Sequence, residues 1–338
     1  MKKHKTYINK PTHSIVYGHE VSVDLSPDIS FEPSTVNDAE LKSEAYNSGV
    51  RFIKPIMKED GYVVSDLIMT FPQGLRMGDV FDRIPYGIVN KTITGLGATT
   101  LEIMSIKRNS IIVVPTKTLA YSKVKKANQE NGDGYAMYIG SPIGEIKSTI
   151  TINNVTSYIA NKHIGDVQKF IVVADSLPML INYLEKLKID AYSDYFLMVD
   201  EIDTLQSDSS YRPRLEAVID HYFKFDFDKR AVVSATMIPF SNPKFEKESS
   251  LRIEWEQQPK REIKVRCANY IEDAAINEIN FLLESTSDKI IVAYNSLDGI
   301  FNIIEQLDID KKQCGVLCSN RSAEKVELYK DIEDEEKA

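Results

Sequence analysis

The sequence predicts an α/β protein: a parallel sheet flanked by helices, followed by a smaller, partial unit of the same kind. Three observations predict this. Short β-branched runs, apolar at nearly every position, recur along the chain, as strands buried on both faces require. Amphipathic stretches with helical spacing lie between them. Glycine-rich, acidic and hydroxyl residues gather where these runs end, and in open parallel sheets ligand sites lie at the carboxyl ends of strands.

The elements follow in chain order. Residues 1–74 are polar, with SPDISFEPSTVND and short apolar pieces such as SIVYG and YVVSDLIM, and read as an N-terminal arm or small subdomain. From about Gly78 the pattern is regular. GIVNKTI (87–93), SIIVVP (110–115), KFIVVAD (169–175), YFLMVD (195–200) and RAVVSAT (230–236) read as strands. In SLPMLINYLEKLKI, Leu177, Leu180, Ile181, Leu184 and Leu187 fall on one helical face, with Asp175 or Ser176 as cap and Pro178 in the first turn. Strands alternating with helices give βαβ units and a parallel sheet over residues 75–258.

Residues 259–338 form a second series. REIKVRCA is a strand or linker. AAINEINFLLEST puts Ile276, Ile279 and Leu283 on one helical face. KIIVAYN reads as a strand, GIFNIIEQL as a helix and QCGVLCS as a strand before an acidic end. A full α/β domain takes ~100 residues or more, so this one is partial, either reduced or cut short.

Composition narrows the class. The 338 residues are 43% hydrophobic and 27% charged, enough for a sizeable core. A net charge of −9 argues against a wholly basic nucleic-acid coat protein, but not against a local basic groove. Three cysteines, Cys267, Cys314 and Cys318, fit a reducing, cytoplasmic setting. Cys314 and Cys318 read as small core residues rather than half a metal site, because no His or Cys pair stands at ligand spacing. The basic start MKKHKTYINKPTHS is not followed by an apolar stretch, and no run of about 18 apolar residues occurs. Neither secretion nor membrane spanning is expected. Richness in Lys, Ile, Asn and Asp fits an AT-rich genome, bacterial or phage.

Three motifs carry chemistry. TITGLGATT follows a strand and precedes the amphipathic run TLEIMSI, the context a phosphate loop requires. Gly95 and Gly97 allow tight turns and close approach of backbone N–H groups, and the helix start adds partial positive charge. Thr94, Leu96, Ala98, Thr99 and Thr100 complete the candidate nucleotide-binding loop, with the Thr99 hydroxyl for Mg²⁺. A GxxxxGK[ST] loop carries lysine before its hydroxyl residue. Ala98 stands there instead, so the ammonium on the β/γ-phosphates is missing. Taken alone, the loop reads equally well as a simple turn. YFLMVDEID ends an apolar strand in Asp200 and Glu201, one to hold Mg²⁺ and the other to orient or deprotonate water. AVVSATMIP ends another strand in Ser234 and Thr236, whose hydroxyls otherwise serve as helix caps.

TGLGATT, DEID and SAT, in this order and with these gaps, resemble motifs I, II and III of the DExD/H-box superfamily-2 helicases, which are P-loop ATPases with RecA-like domains. IIVVPTKTLA (111–120) is similar to their motif Ia, and KIIVAYNSLDGI (289–300) looks like the start of a second RecA-like domain. The resemblance covers residues 75–320. It implies ATP and Mg²⁺ as cofactors, with Thr99 and Asp200 at the metal and Glu201 serving the attacking water. It implies that Ser234 and Thr236 couple hydrolysis to strand movement, and that Pro115, Thr116 and Lys117 touch the phosphates of DNA or RNA, single-stranded. It further implies partners in replication or recombination. The activity so implied is that of a helicase or translocase, coupling ATP binding or hydrolysis to movement on nucleic acid.

Two departures qualify this. Ala98 replaces the loop lysine, which makes the Walker A motif degenerate. The family's arginine fingers also lack a counterpart: after residue 270 the only arginine is Arg321. The alternative is therefore a catalytically inactive helicase-fold protein, a scaffold holding nucleic acid or a replication complex. Other cations are candidates to replace the lysine. Lys91 reaches the loop only if its side chain faces it, and pleat alternation leaves both faces open. Arg212 and Arg214 read first as surface charges. Lys123, Lys125 and Lys126 are either an extension of the nucleic-acid track or a solvated helix face. Trp255 reads as a packing residue rather than a base-stacking one.

Overall fold

The computed structural model describes residues 21–23, 35–36, 39–40, 42, 50–54, 67–163, 165–204, 216–237, 240, 242–256, 267–307 and 314–316. The chain divides into two compact units, Met1–Pro259 and Lys260–Ala338.

Continuous burial explains the centre of the first unit. Strands β6 (Gly87–Asn90), β7 (Ser110–Val114), β9 (Lys169–Val173) and β10 (Phe196–Asp200) are buried at every position. Only a strand covered on both faces tolerates such a run. They share one sheet with β1 (Val21–Val23), β4 (Arg51–Lys54), β5 (Leu67–Phe71), β8 (Ala136–Ile139), β11 (Arg230–Ser234) and β12 (Ser250–Trp255). The order is β1-β4-β5-β12-β6-β11-β10-β7-β9-β8. Every pairing from β5 through β8 is parallel, while β4 and β1 add antiparallel strands at one edge. A short hairpin, β2 (Thr35–Val36) with β3 (Ala39–Glu40), is separate from the sheet. This is the α/β parallel sheet flanked by helices that the alternating pattern predicts.

The helices that flank it are α1 (Met77–Val80), α2 (Ala98–Met104), α3 (Lys117–Asn131), α4 (Ile152–Ala160), α5 (Leu177–Lys186), α6 (Ala191–Asp194) and α7 (Glu216–Tyr222). Helix α5 buries Leu177, Leu180, Ile181 and Leu184, the expected face. Its start differs from expectation. Ser176 occupies the N-cap without a side-chain bond, and a 3-10 turn, Ala174–Ser176, leads in, with Pro178 in the first turn. Five strands of the sheet escape the apolar-run signal: β1 and β4, and with them β5, β8 and β12. β5 falls inside the stretch read as the N-terminal arm. AMYI (β8) lies at the sheet edge behind a polar loop, and SLRIEW (β12) is only partly buried.

A charged cluster anchors α2 from within. Glu102, fully buried on α2, accepts from Arg108 (3.0 and 2.8 Å), the Ile84 N–H (3.1 Å) and the Ser110 hydroxyl (2.5 Å). Lys169, also fully buried, donates to the Glu102 and Arg108 carbonyls (2.8 and 2.9 Å) and to the Ser110 hydroxyl (2.9 Å). Ser110 and Lys169 open β7 and β9, so this cluster sits at the amino ends of the strands.

In the second unit α8 (Ile271–Ser285) and α9 (Leu297–Gln306) pack through Ile276, Ile279 and Ile303. Leu283, expected on the buried face, is 48% exposed. The strand expected at KIIVAYN does not form: residues 289–294 pair with nothing as a strand and Ile291 is 92% exposed. An apolar run becomes a buried strand only beside a paired neighbour, and the described residues of this unit contain none. In QCGVLCS, residues 314–316 form no strand and Cys314 is partly exposed. Arg212, Arg214, Cys318 and Arg321 lie outside the described residues. Among the described residues no helix is long and apolar enough to cross a membrane.

Candidate functional site

β6, β11 and β10 lie side by side, so their last residues meet at one edge of the sheet. Register places Ser234 beside Asn90, and Asp200 beside Val233. The ladder of β6 ends at Asn90, one residue before Lys91. The Lys91 N–H still donates to the Ser234 carbonyl at 2.9 Å, and then the chain turns. Thr92 takes φ 44°. Its N–H is received by Asn90 Oδ1 at 3.1 Å, and its hydroxyl donates to the Ile253 carbonyl at 2.6 Å. These bonds hold a conformation that non-glycine residues rarely adopt.

The glycine loop follows. Gly95 and Gly97 have φ 85° and 84°, the left-handed region that glycine enters freely. Gly97 is the N-cap of α2. A Cβ on Gly95 would meet no atom within 4 Å, so the outer side of the loop is open. Leu96 is buried, and its carbonyl accepts from the Met77 N–H at 2.9 Å, which ties the loop to α1. Thr94 and Thr100 are exposed. Ala98 is 2% exposed and packs into the core.

Four side chains converge beneath the loop. Thr99 donates to Asp200 Oδ2 at 2.5 Å. Lys91 Nζ lies 3.3 Å from Asp200 Oδ1 and 2.9 Å from Glu201 Oε1. Burial pushes the Lys91 ammonium down, but the charges and hydrogen bonds of Asp200 and Glu201 outweigh it and hold the group above the ordinary lysine range. Glu201 has φ 53°, a strained setting of order 1–3 kcal/mol for a non-glycine residue. Lys123, on α3, is lowered by burial, with Asp200 opposing the shift and Lys91 adding to it. A second ammonium therefore senses the Asp200 charge. Lys125 and Lys126 lie on the solvated side of α3 and pair with Glu145 and Glu130.

Asp203 links the other two motifs. Ser234 and Thr236 donate their hydroxyls to its two carboxylate oxygens, each at 2.5 Å, and the Thr236 N–H donates to Ser234 Oγ at 3.1 Å. The sequence reading names Ser234 and Thr236 but not Asp203. Its only sequence signal is its place as the last residue of DEID. The motif Ia-like residues stand at the same sheet edge, after β7. Pro115 is buried, Thr116 and Lys117 are exposed, and Thr116 Oγ1 accepts from the Leu119 N–H at 3.3 Å as a helix cap. Trp255 is partly buried against the core and donates to the Leu75 carbonyl at 3.4 Å, as a packing residue does.

The donor set suits a hard divalent cation. Thr99 and Asp200 offer oxygens only, and no group of three or more His, Cys, Asp or Glu that could hold a metal occurs among the described residues. Mg²⁺ is commonly held by one or two carboxylates with the remaining oxygens from phosphates and water.

No protein-family model matches the chain, and no curated protein matches it. Among solved structures it is similar to a Saccharomyces cerevisiae Dbp5 variant bound to Nup159, a Gle1 variant, IP6 and ADP. The TM-score is 0.40 at 10% identity, covering 73% of this chain and 66% of that chain. It is also similar to a Dbp5 variant bound to a Gle1 variant and IP6, with a TM-score of 0.43 at 12% identity, covering 69% of this chain and 57% of that one. The chain thus spans under two thirds of the length of both.

Proposed function

We propose that the first unit is the ATP-binding motor domain of a helicase-like protein, one that couples ATP binding or hydrolysis to movement on DNA or RNA. One observation carries the reading: Thr99, Asp200, Glu201 and a buried ammonium converge at the carboxyl end of the parallel sheet, beside an open glycine loop.

Each residue then has a task. The backbone of Thr94–Thr100 wraps the phosphates, with Gly95 and Gly97 supplying the turns. Thr99 and Asp200 hold Mg²⁺, which when bound supplies charge neutralisation at the phosphates. Glu201, whose side chain is 30% exposed, reaches water and orients or deprotonates it. Asp203 holds Ser234 and Thr236, so a shift in the segment after β10 reaches the end of β11. Pro115, Thr116 and Lys117, with Lys125 and Lys126, form the edge that follows a single-stranded backbone. The second unit is the start of a second RecA-like domain. Cytoplasmic location and replication or recombination partners belong to the same reading.

The test is nucleic-acid-stimulated ATP hydrolysis by the full chain against a Glu201→Gln control. Glu201→Gln is expected to lower turnover about 10²-fold or more. Turnover no higher than the control's would sink the hydrolytic reading. A non-hydrolysing scaffold is the second reading, favoured by Ala98, whose side chain faces the core rather than the loop opening. Calorimetric binding of ATP–Mg²⁺ without turnover would select it.

A further inference from the structure

We infer that Lys91 is the phosphate-binding cation of this site, reaching from the end of β6 to fill the role that Ala98 leaves open. This rests on the nucleotide-binding reading above.

A phosphate-loop lysine is needed where the terminal phosphates meet the metal ligands. The Lys91 ammonium occupies one oxygen of Asp200 and the Thr99 hydroxyl occupies the other. Both groups thus gather on the carboxylate proposed to hold the metal. Among the described residues, Lys91 is the cation in hydrogen-bond contact with both Asp200 and Glu201.

Had β6 continued, the pleat would have set the side chain to one face of the sheet. The ladder stops at Asn90, and the turn at Thr92 carries the loop onward while the Lys91 side chain runs toward β10. At 6% exposure it is enclosed by protein beneath the loop.

A buried ammonium is costly unless it is paired. The partners of Lys91 are the two groups assigned to metal and water. When those tasks engage Asp200 and Glu201, Lys91 requires new acceptors, and phosphate oxygens in the adjoining loop meet that need. A lysine at position 98 then becomes dispensable, and Ala98 is free to pack into the core. Lys123 is the rival cation, but it is less buried and makes no hydrogen bond to the acidic pair.

The experiment titrates the full chain with ATP and AMP in Mg²⁺ and compares wild type, Lys91→Met, Lys91→Arg and Lys123→Met. Circular dichroism checks that each is folded. Lys91→Met is expected to weaken ATP binding by about tenfold or more while AMP binding changes little, as loss of a charge-assisted phosphate contact requires. Lys91→Arg should keep part of the preference for ATP. An unchanged ATP-to-AMP ratio in Lys91→Met, or an equal or larger loss in Lys123→Met, overturns the inference. If Lys91→Met does not fold, wild type is treated with an ATP acyl phosphate, whose acyl group passes to a lysine amine beside the terminal phosphate as an amide while ATP departs. Labelling of Lys91, blocked by excess ATP, supports the inference. Labelling elsewhere, or none in a chain that binds ATP, overturns it. Failure of wild type to bind ATP at all strikes the nucleotide reading itself, whereas the other negative outcomes strike Lys91 alone.

Discussion

Lys91 and Lys169 are both buried in the first unit, at opposite edges of one sheet, and they are held by different kinds of acceptor. Lys169, at the amino ends, is bound by two carbonyls and a hydroxyl, with Glu102 4.0 Å away. Burial dominates there and lowers its pKa to about 8. Lys91, at the carboxyl ends, is bound by two carboxylates, one of them partly exposed, and stays above the ordinary lysine range. Neutral acceptors satisfy a donor's geometry without holding its charge. Carboxylates hold the charge, and near solvent they are open to other partners. The amino-edge cluster fixes α2 in place. The carboxyl-edge cluster keeps one of its carboxylates, Glu201, within reach of solvent.

The largest effect tests the sealed edge. Glu102→Ala leaves Arg108 and Lys169 uncompensated in the core, and urea unfolding should show a loss of about 3–5 kcal/mol. A loss below about 1 kcal/mol would show that the cluster does not anchor α2.

The pH dependence of stability separates the two lysines next. Lys169 falls from 10.5 to about 8 on folding, so between those values the unfolded chain binds a proton that the folded chain does not. Its contribution therefore rises with pH across that window, by at most about 3 kcal/mol. Lys91 is raised, so its contribution is present below 10.5 and is lost as pH climbs through its higher folded value. Denaturant midpoints measured from pH 8 to 10 for wild type and Lys169→Met should show the rise in wild type alone. Parallel profiles would remove the contrast.

Lys91→Met should destabilise by less than Glu102→Ala, about 1–3 kcal/mol, because Asp200 retains the Thr99 hydroxyl and Glu201 reaches solvent. Millimolar Mg²⁺ should recover part of that loss by occupying the freed carboxylates. Glu102→Ala should show no such recovery. Equal Mg²⁺ responses in thermal melts would mean that the carboxyl edge is no more open than the sealed one.

The smallest effect concerns Asp203. A double-mutant cycle of Asp203→Ala with Ser234→Ala should give a coupling of about 0.5–1 kcal/mol. A value near zero would mean that the DEID and SAT segments are not tied by this bond.

Much of the fold could be read from residue types because full burial leaves a plain mark. GIVN, SIIVV, KFIVV and FLMVD are strands of a parallel sheet because nothing else buries such runs on both faces. KIIVAYN carries the same mark and is no strand, since an apolar run does not state whether a neighbour exists to pair with it. The site divides in the same way. By itself, the sequence determined which chemical groups stand at strand ends: the glycines of the loop, Thr99, Asp200, Glu201 and the hydroxyls of Ser234 and Thr236. The tertiary structure alone decided that β11 lies between β6 and β10, that Asp203 joins two motifs, and that Lys91 turns toward the acidic pair. The reason is physical. Periodicity reports which residues of one segment share a face, but a side chain beyond the end of its ladder takes its direction from the turn that follows and the strands beside it.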